Sequence, residues 1–198
     1  MIPILILAAG SSSRMRGADK LLEPVDGQAL LRRQAERAIA TGSPVLVAVP
    51  QLDHPRVGCL RGLDVTILVV PDAAEGIGAS LRTGMAALPD CVAVLVTLAD
   101  LVALETSDLT RIIKAKMHAP KALIWRGATA EGTPGHPILF DASLRPAFAD
   151  LAGDEGGASI IKANADKVHY VALPGDRALL DLDTPEDWAA WRTRKIPI

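Results

Sequence analysis

The chain has 198 residues, 49% hydrophobic content and a formal net charge of −2, which places it among soluble globular domains and outside the disordered class. No basic excess offers a footprint for nucleic acid, and 3% aromatic content is too little for base-stacking platforms along a single strand. A small charged metabolite is the expected partner.

Met1 to Leu7 is almost continuously apolar and rich in Ile and Leu, the pattern of a strand buried on both faces of a parallel sheet. The run is too short to span a bilayer, has no basic leader and passes straight into a loop. It therefore reads as a strand, with no membrane partner and a cytoplasmic location expected. The strand ends in Ala8-Ala9-Gly10-Ser11-Ser12-Ser13-Arg14, with Lys20 just beyond. Small residues let a backbone approach a ligand closely, and successive N–H groups in such a turn form a concavity for anions. Arg14 and Lys20 add fixed positive charge. The combination reads as a site for a nucleoside triphosphate. Two better-known phosphate loops do not fit. No glycine follows Gly10 until Gly17, and Lys20 lies between Asp19 and Leu21, so neither the dinucleotide fingerprint nor the P-loop pattern is met.

Gln28 to Ala40 carries apolar residues at helical spacing and is closed by Thr41-Gly42. Val45–Val49 and Val65–Val70 read as strands, with a short helix predicted over Asp53 to Leu60 between them. The glycines of Pro71 to Ser80 precede a helix running to about Leu88, with Ser80 at the N-cap position. Val92–Leu98 is a fourth strand that delivers Asp100 at its carboxyl end, where open α/β sheets place ligands. A carboxylate there suits Mg²⁺, a hard cation, or else caps a helix. This alternation of strand and helix is the signature of a parallel α/β sheet.

Glu105 to His118 reads as a helix with Ser107, Asp108, Arg111 and Lys114 outward. A short strand over Ala122–Trp125, a loop over Gly127–His136 and an extended Pro137–Phe140 follow, then a helix over Ala142–Leu151. Gly153-Asp154-Glu155-Gly156-Gly157-Ala158 makes an acidic turn before Ser159–Ala163, and Val168–Leu173 is the last strand. Thr184 caps a helix opened by Pro185, while Asp181 and Asp183 alternate with apolar neighbours and share a face. Cys59 and Cys91 lie far apart, with no histidine at ligand spacing, and are expected to be buried thiols. No Ser-His-Asp or Cys-His arrangement stands out.

Leu7 to Leu22 fits L-A-A-G-x-S-x-R-M-(x)-G-x-x-K-L-L with one extra residue, Arg16. This resembles the nucleotidyltransferase superfamily, most closely the molybdenum cofactor cytidylyltransferases. Further matches are Gly76 to Gly84 as G-x-x-x-S-x-R-x-G, Thr97-Leu98-Ala99-Asp100, Gly135-His136-Pro137, Gly153 to Ala158 and the closing D-x-D-T-P-E-D. Leu101-Val102 stand where the family usually carries a small residue or Met and a Pro.

The resemblance implies a Rossmann-like three-layer α/β sandwich with a mostly parallel sheet, of the nucleotide-diphospho-sugar transferase type. It implies a single domain over 1–198, with a nucleotide-binding half over 1–100 and an acceptor-binding half over 101–198. The activity implied is Mg-dependent transfer of CMP from CTP to the phosphate of molybdopterin, with pyrophosphate released. Arg14, Lys20 and Asp100 would be catalytic. Leu7, Ala8, Ala9, Gly10, Ser11, Ser12, Arg14, Lys20, Ser80 and Arg82 would bind the nucleotide. Asp100 with Asp181 or Asp183 would hold Mg²⁺, and Gly135 and His136 would meet the acceptor, with packing of their loop the equal alternative for a lone histidine. Ala9, where guanylyl-transferring members tend to carry glycine, favours CTP over a purine nucleotide. The resemblance leaves open a molybdoenzyme as partner. Another phosphorylated acceptor, GTP as donor, or a non-catalytic carrier of the cofactor are the alternatives.

Overall fold

The computed structural model describes residues 1–195. The period-two alternation of each strand decides the layers. In β1 (Ile4–Leu7), Ile4 and Ile6 join one core while Leu5 and Leu7 join the other. β4 (Val45–Val49), β5 (Thr66–Val69) and β6 (Ala93–Leu98) run parallel to β1. β2 (Pro24–Val25) and β3 (Gln28–Ala29) form a separate small hairpin. Beyond β6 the sheet continues through β8 (Pro134–Asp141), β7 (Ile124–Ala128) and β9 (Val168–Ala172), giving the order β5-β4-β1-β6-β8-β7-β9. Of these seven strands β8 alone is reversed, pairing antiparallel with both β6 and β7.

Helices cover both faces. On one lie α1 (Leu30–Ile39), α4 (Thr106–His118) and α6 (Pro185–Lys195), whose Leu31, Ile112 and Trp188 pack over Ile6, Val47 and Leu95. On the other lie α3 (Ile77–Ala87) and α5 (Ala158–Ala163) with the turns of 142–148, over Leu5, Leu46 and Val94. A three-layer α/β sandwich with a mostly parallel sheet results. α2 (Pro55–Cys59) is a single short turn after β4. Gly84 lets α3 lie directly on β1, since a Cβ there would sit 2.3 Å from a Leu5 methyl. The chain passes from β1 to one side of it and later returns to the other, so the carboxyl ends of β1 and β6 flank the switch point where such sheets open a crevice.

Several expectations are corrected. Ser80 does not cap a helix: α3 begins at Ile77 with Gly76 at the N-cap, and Ser80 is buried within the helix. Gly76 has φ +121, and Gly78 packs against the 152–155 backbone, where a Cβ would lie 2.9 Å from the Gly153 carbonyl oxygen. Asp108 does not face solvent. It is buried, accepts the Glu105 N–H in a capping box and pairs with Arg177, a residue 69 positions away. The helix expected from Gln28 starts at Leu30, after a hairpin strand. The predicted 127–136 loop shrinks to 129–133, because β7 and β8 pair almost to their tips. Residues 142–148 are 3₁₀ turns, since Pro146 has no N–H for the α-helical ladder. Cys59 and Cys91 are free thiols but only half-buried. No helix among the described residues is long and apolar enough to cross a membrane.

Candidate active site

An open cleft of about 1090 Å³ lies where β1 and β6 end. One wall is the loop after β1. Leu7, Ala8, Ala9, Gly10, Ser11, Ser12, Arg14 and Lys20, all named from the sequence, line it. Ser12 takes a left-handed backbone, φ 52, at the start of a 3₁₀ turn over Ser13–Met15. Among the described residues, no protein acceptor meets the N–H groups of Ala9, Gly10, Ser11, Ser12 or Ser13. Successive free amides on a wall of small residues are a ready site for oxyanions.

Three carboxylates stand opposite. Asp100 follows β6, and Asp181 and Asp183 come from the segment before α6, which a bridge between Leu101 and Asp181 ties to the end of β6. One oxygen of each lies within 4.8 Å of the others. Lys20 reaches into this group, its Nζ 2.6 Å from Asp100 Oδ2 and 2.6 Å from Asp183 Oδ1, and Arg14 donates to the other oxygen of Asp183. Burial alone would depress the Lys20 ammonium, but Asp100 and Asp183 outweigh it and raise it above its ordinary value. Asp181 is pushed above the usual carboxylate range by burial first and by the charges of Asp100 and Asp183 second.

Asp100 Oδ1 is buried and has no hydrogen-bond partner. A buried carboxylate oxygen without a donor is costly. Together with two further carboxylates, this all-oxygen set fits a hard divalent cation.

The loop after Asp100 is held from α1. Gln34 Nε2 donates to the Leu101 carbonyl at 2.7 Å, and Arg37 donates to the Val102 carbonyl at 3.3 Å and to Glu105 at 2.6 Å. Leu101 and Val102 themselves are buried. The departure from the family pattern at these positions is thus accommodated as core packing, and Asp100 keeps its place at the cleft.

Other predicted residues lie elsewhere. Ser80 lines the cleft from the first turns of α3, but Arg82 does not: its guanidinium donates to the Leu151 carbonyl and, at 2.8 Å, to Glu75. Gly135 and His136 are also absent from the lining. The His136 N–H donates to the Ala178 carbonyl at 2.8 Å, and burial first, then Arg126, push its imidazole down to about 4. Asp154, from the acidic turn, does reach the cleft wall.

Sequence reasoning missed Arg56, along with Gln51, His54 and Asp19, all of which line the cleft. Arg56 is 2% exposed and paired with Asp19. Burial would raise the Asp19 carboxyl, but the Arg56 guanidinium reverses that and holds it below its ordinary value. A single arginine in a short Pro-Arg-Val-Gly turn carries no pattern that would mark it.

The sequence profile of the MobA-like NTP transferase domain family matches residues 4–170. The chain is 28% identical to the nicotine blue oxidoreductase of Paenarthrobacter nicotinovorans over 189 residues, which cover 92% of each chain. It is 26% identical to the purine catabolism protein PucB of Bacillus subtilis over 195 residues, 93% of this chain and 92% of that one. Among solved structures it superposes on Rv0371c of Mycobacterium tuberculosis with a TM-score of 0.82 at 26% identity, covering 96% of both chains. A complex of Rv0371c with manganese superposes with a TM-score of 0.79 at 25% identity, again covering 96% of both.

Proposed function

We propose, for a chain that belongs to the MobA-like NTP transferase family and is a nucleotidyltransferase, that it transfers CMP from CTP to the phosphate of a molybdopterin-type acceptor and releases pyrophosphate. The observation that carries this reading is the pairing of unpartnered loop amides with a three-carboxylate cluster across one cleft. A triphosphate needs the first, and the cation that accompanies it needs the second.

In this reading residues 1–100 hold the nucleotide and residues 101–198 the acceptor. The base lies against Ala8, Ala9 and Ser80, and the phosphates run along Gly10 to Lys20. Ala9 narrows the base pocket against a purine, which favours CTP. Asp100, Asp181 and Asp183 would hold Mg²⁺, which supplies positive charge against the triphosphate when bound. The manganese complex of Rv0371c supports a divalent ion in this fold.

An oxygen of the acceptor phosphate attacks the α-phosphorus in line, a new P–O bond forms, and the bond to the β-phosphate oxygen breaks. The attacking phosphate is already ionised at neutral pH, so no general base is required. The protein's part is positioning and charge neutralisation. Lys20 and Arg14, which are paired with Asp100 and Asp183, are placed to turn toward the departing pyrophosphate.

A second reading, the same transfer to a different phosphorylated acceptor, is favoured by one observation. The two relatives that match nearly the whole chain are named for an oxidoreductase activity and for purine catabolism, not for cofactor synthesis. One experiment addresses both. Melting is followed with CTP, GTP, ATP and UTP, each with and without Mg²⁺, and pyrophosphate release is then assayed with molybdopterin. Selective Mg²⁺-dependent stabilisation by CTP and release with molybdopterin are expected. Stabilisation by GTP alone would remove the Ala9 argument, and CTP binding without release would move the acceptor to the second reading.

A further inference from the structure

Arg56 sits beneath the loop rather than in front of it. Its five N–H donors are all used: Nε and Nη2 donate to the two oxygens of Asp19 at 2.7 and 2.8 Å, and Nη2 also to Ser12 Oγ at 3.0 Å. Nη1 donates to the carbonyls of Ala8 and Gly10 at 2.6 and 2.7 Å. The group is 2% exposed and the negative charge of Asp19 balances it, so little of its charge is left over for a ligand.

The two carbonyls matter because of peptide geometry. In a trans peptide the C=O and the following N–H point to opposite sides of the unit. Drawing the Ala8 and Gly10 oxygens onto the guanidinium therefore turns the N–H groups of Ala9 and Ser11 away from it. Ala9 and Ser11 line the cleft, and no acceptor among the described residues meets their amides. Asp19 completes the frame, with Oδ1 accepting from Ser12 Oγ at 3.1 Å and from the Leu21 N–H at 3.0 Å, which fixes the backbone on both sides of Lys20.

We propose that Arg56, locked by Asp19, is the positioning residue of the nucleotide site: it acts through the loop, aiming the Ala9 and Ser11 amides at the nucleoside triphosphate. This rests on the reading of the cleft as a triphosphate site. Lysine cannot substitute, because one ammonium has three donors and no planar fork, and five acceptors await it.

The test is calorimetric titration of Mg-CTP, Mg-GTP and inorganic triphosphate into the wild-type protein, Arg56→Lys and Asp19→Asn, well below each melting temperature. ¹⁵N spectra of the Ala9 and Ser11 amides are recorded alongside. Arg56→Lys is expected to weaken the ligand that wild type binds by about ten- to a hundredfold, the loss for misdirecting one or two hydrogen bonds to an anion. The two amide resonances should move even without ligand, and the KM for the acceptor should stay unchanged. Asp19→Asn, which leaves the guanidinium in place, should give a smaller loss of the same kind and answers the question alone if Arg56→Lys does not fold. A merely structural role would lower the melting temperature and leave the affinity of the folded protein intact. That outcome, with wild type binding, overturns the proposal and spares the triphosphate reading. Wild type binding none of the three ligands overturns both.

Discussion

The loop after β1 and the Gly135-His136-Pro137 corner of β8 both match a family pattern, yet they differ in where their polar groups go. In the loop, carbonyls are gathered onto Arg56 and amides are left facing a cleft. At the corner the groups are spoken for: Gly135 O accepts from Arg126 at 3.0 Å, and His136 N–H reaches Ala178 O. A Cβ on Gly135 would stand 2.1 Å from that same carbonyl oxygen. One motif leaves backbone amides open on a cleft, and the other ties two chain segments together through its own backbone. Matching residues alone do not distinguish these, whereas the fate of the hydrogen-bonding groups does.

The largest effect expected on the loop side comes from Asp100. In the proposed function its unpartnered oxygen would hold the cation together with its neighbours Asp181 and Asp183, so Asp100→Asn should lower metal-dependent turnover by about a thousandfold or more. Turnover and Mn²⁺ binding are measured together. Full turnover with unchanged Mn²⁺ affinity would falsify the metal assignment. On the corner side Gly135→Ala should act on stability. Overlap with a backbone oxygen cannot be relieved by a side-chain rotation, and about 2–4 kcal/mol is the expected loss in urea melts. A variant as stable as wild type would show that the corner has room to spare.

The strand order was not legible, being set by pairing between distant segments, but the α/β alternation and the placement of Asp100 were, because they follow from local pattern: apolar runs for buried strands, period two for faces, a carboxylate at a strand end. Asp181 and Asp183 were legible as a pair for the same reason, since alternation puts them on one side. Arg56 and Asp108 were not. Each is a charged residue that burial would forbid if it were alone, and each is permitted by a partner in sequence-distant chain, Asp19 for the first and Arg177 for the second. The start of α3 was missed because Gly76 and Gly78 read as part of the loop before a helix capped at Ser80, whereas they are glycines so that the helix end can lie against the 152–155 backbone. Packing of this kind leaves no local trace.

His136 sharpens the contrast through pH. Its imidazole titrates at about 4 in the folded chain, against about 6.5 for a free histidine. Between those values the unfolded chain binds a proton that the folded one does not, so stability rises with pH through that window and falls on acidification. From pH 7 to pH 5 the histidine should account for a loss of about 2 kcal/mol. Comparing urea midpoints of wild type and His136→Gln at the two pH values isolates this contribution, and parallel pH dependences would mean that His136 is reached by solvent in the folded protein.

Arg82 gives the smallest expected effect and the cleanest separation of motif from site. It belongs to the same G-x-x-x-S-x-R-x-G segment as Ser80, two residues on, but a helix turns by 100° per residue, so positions i and i+2 do not share a face. Ser80 faces the cleft, while Arg82 ties α3 to the Leu151 carbonyl and to Glu75. Arg82→Ala should therefore cost about 1 kcal/mol of stability through those lost bonds. Affinity for the nucleotide should stay within about threefold of wild type, a change of less than 1 kcal/mol. Calorimetric titration decides it. A tenfold loss of affinity with unchanged stability would mean that the guanidinium leaves Leu151 and Glu75 when the nucleotide enters, and that the motif match at Arg82 marks a binding residue after all.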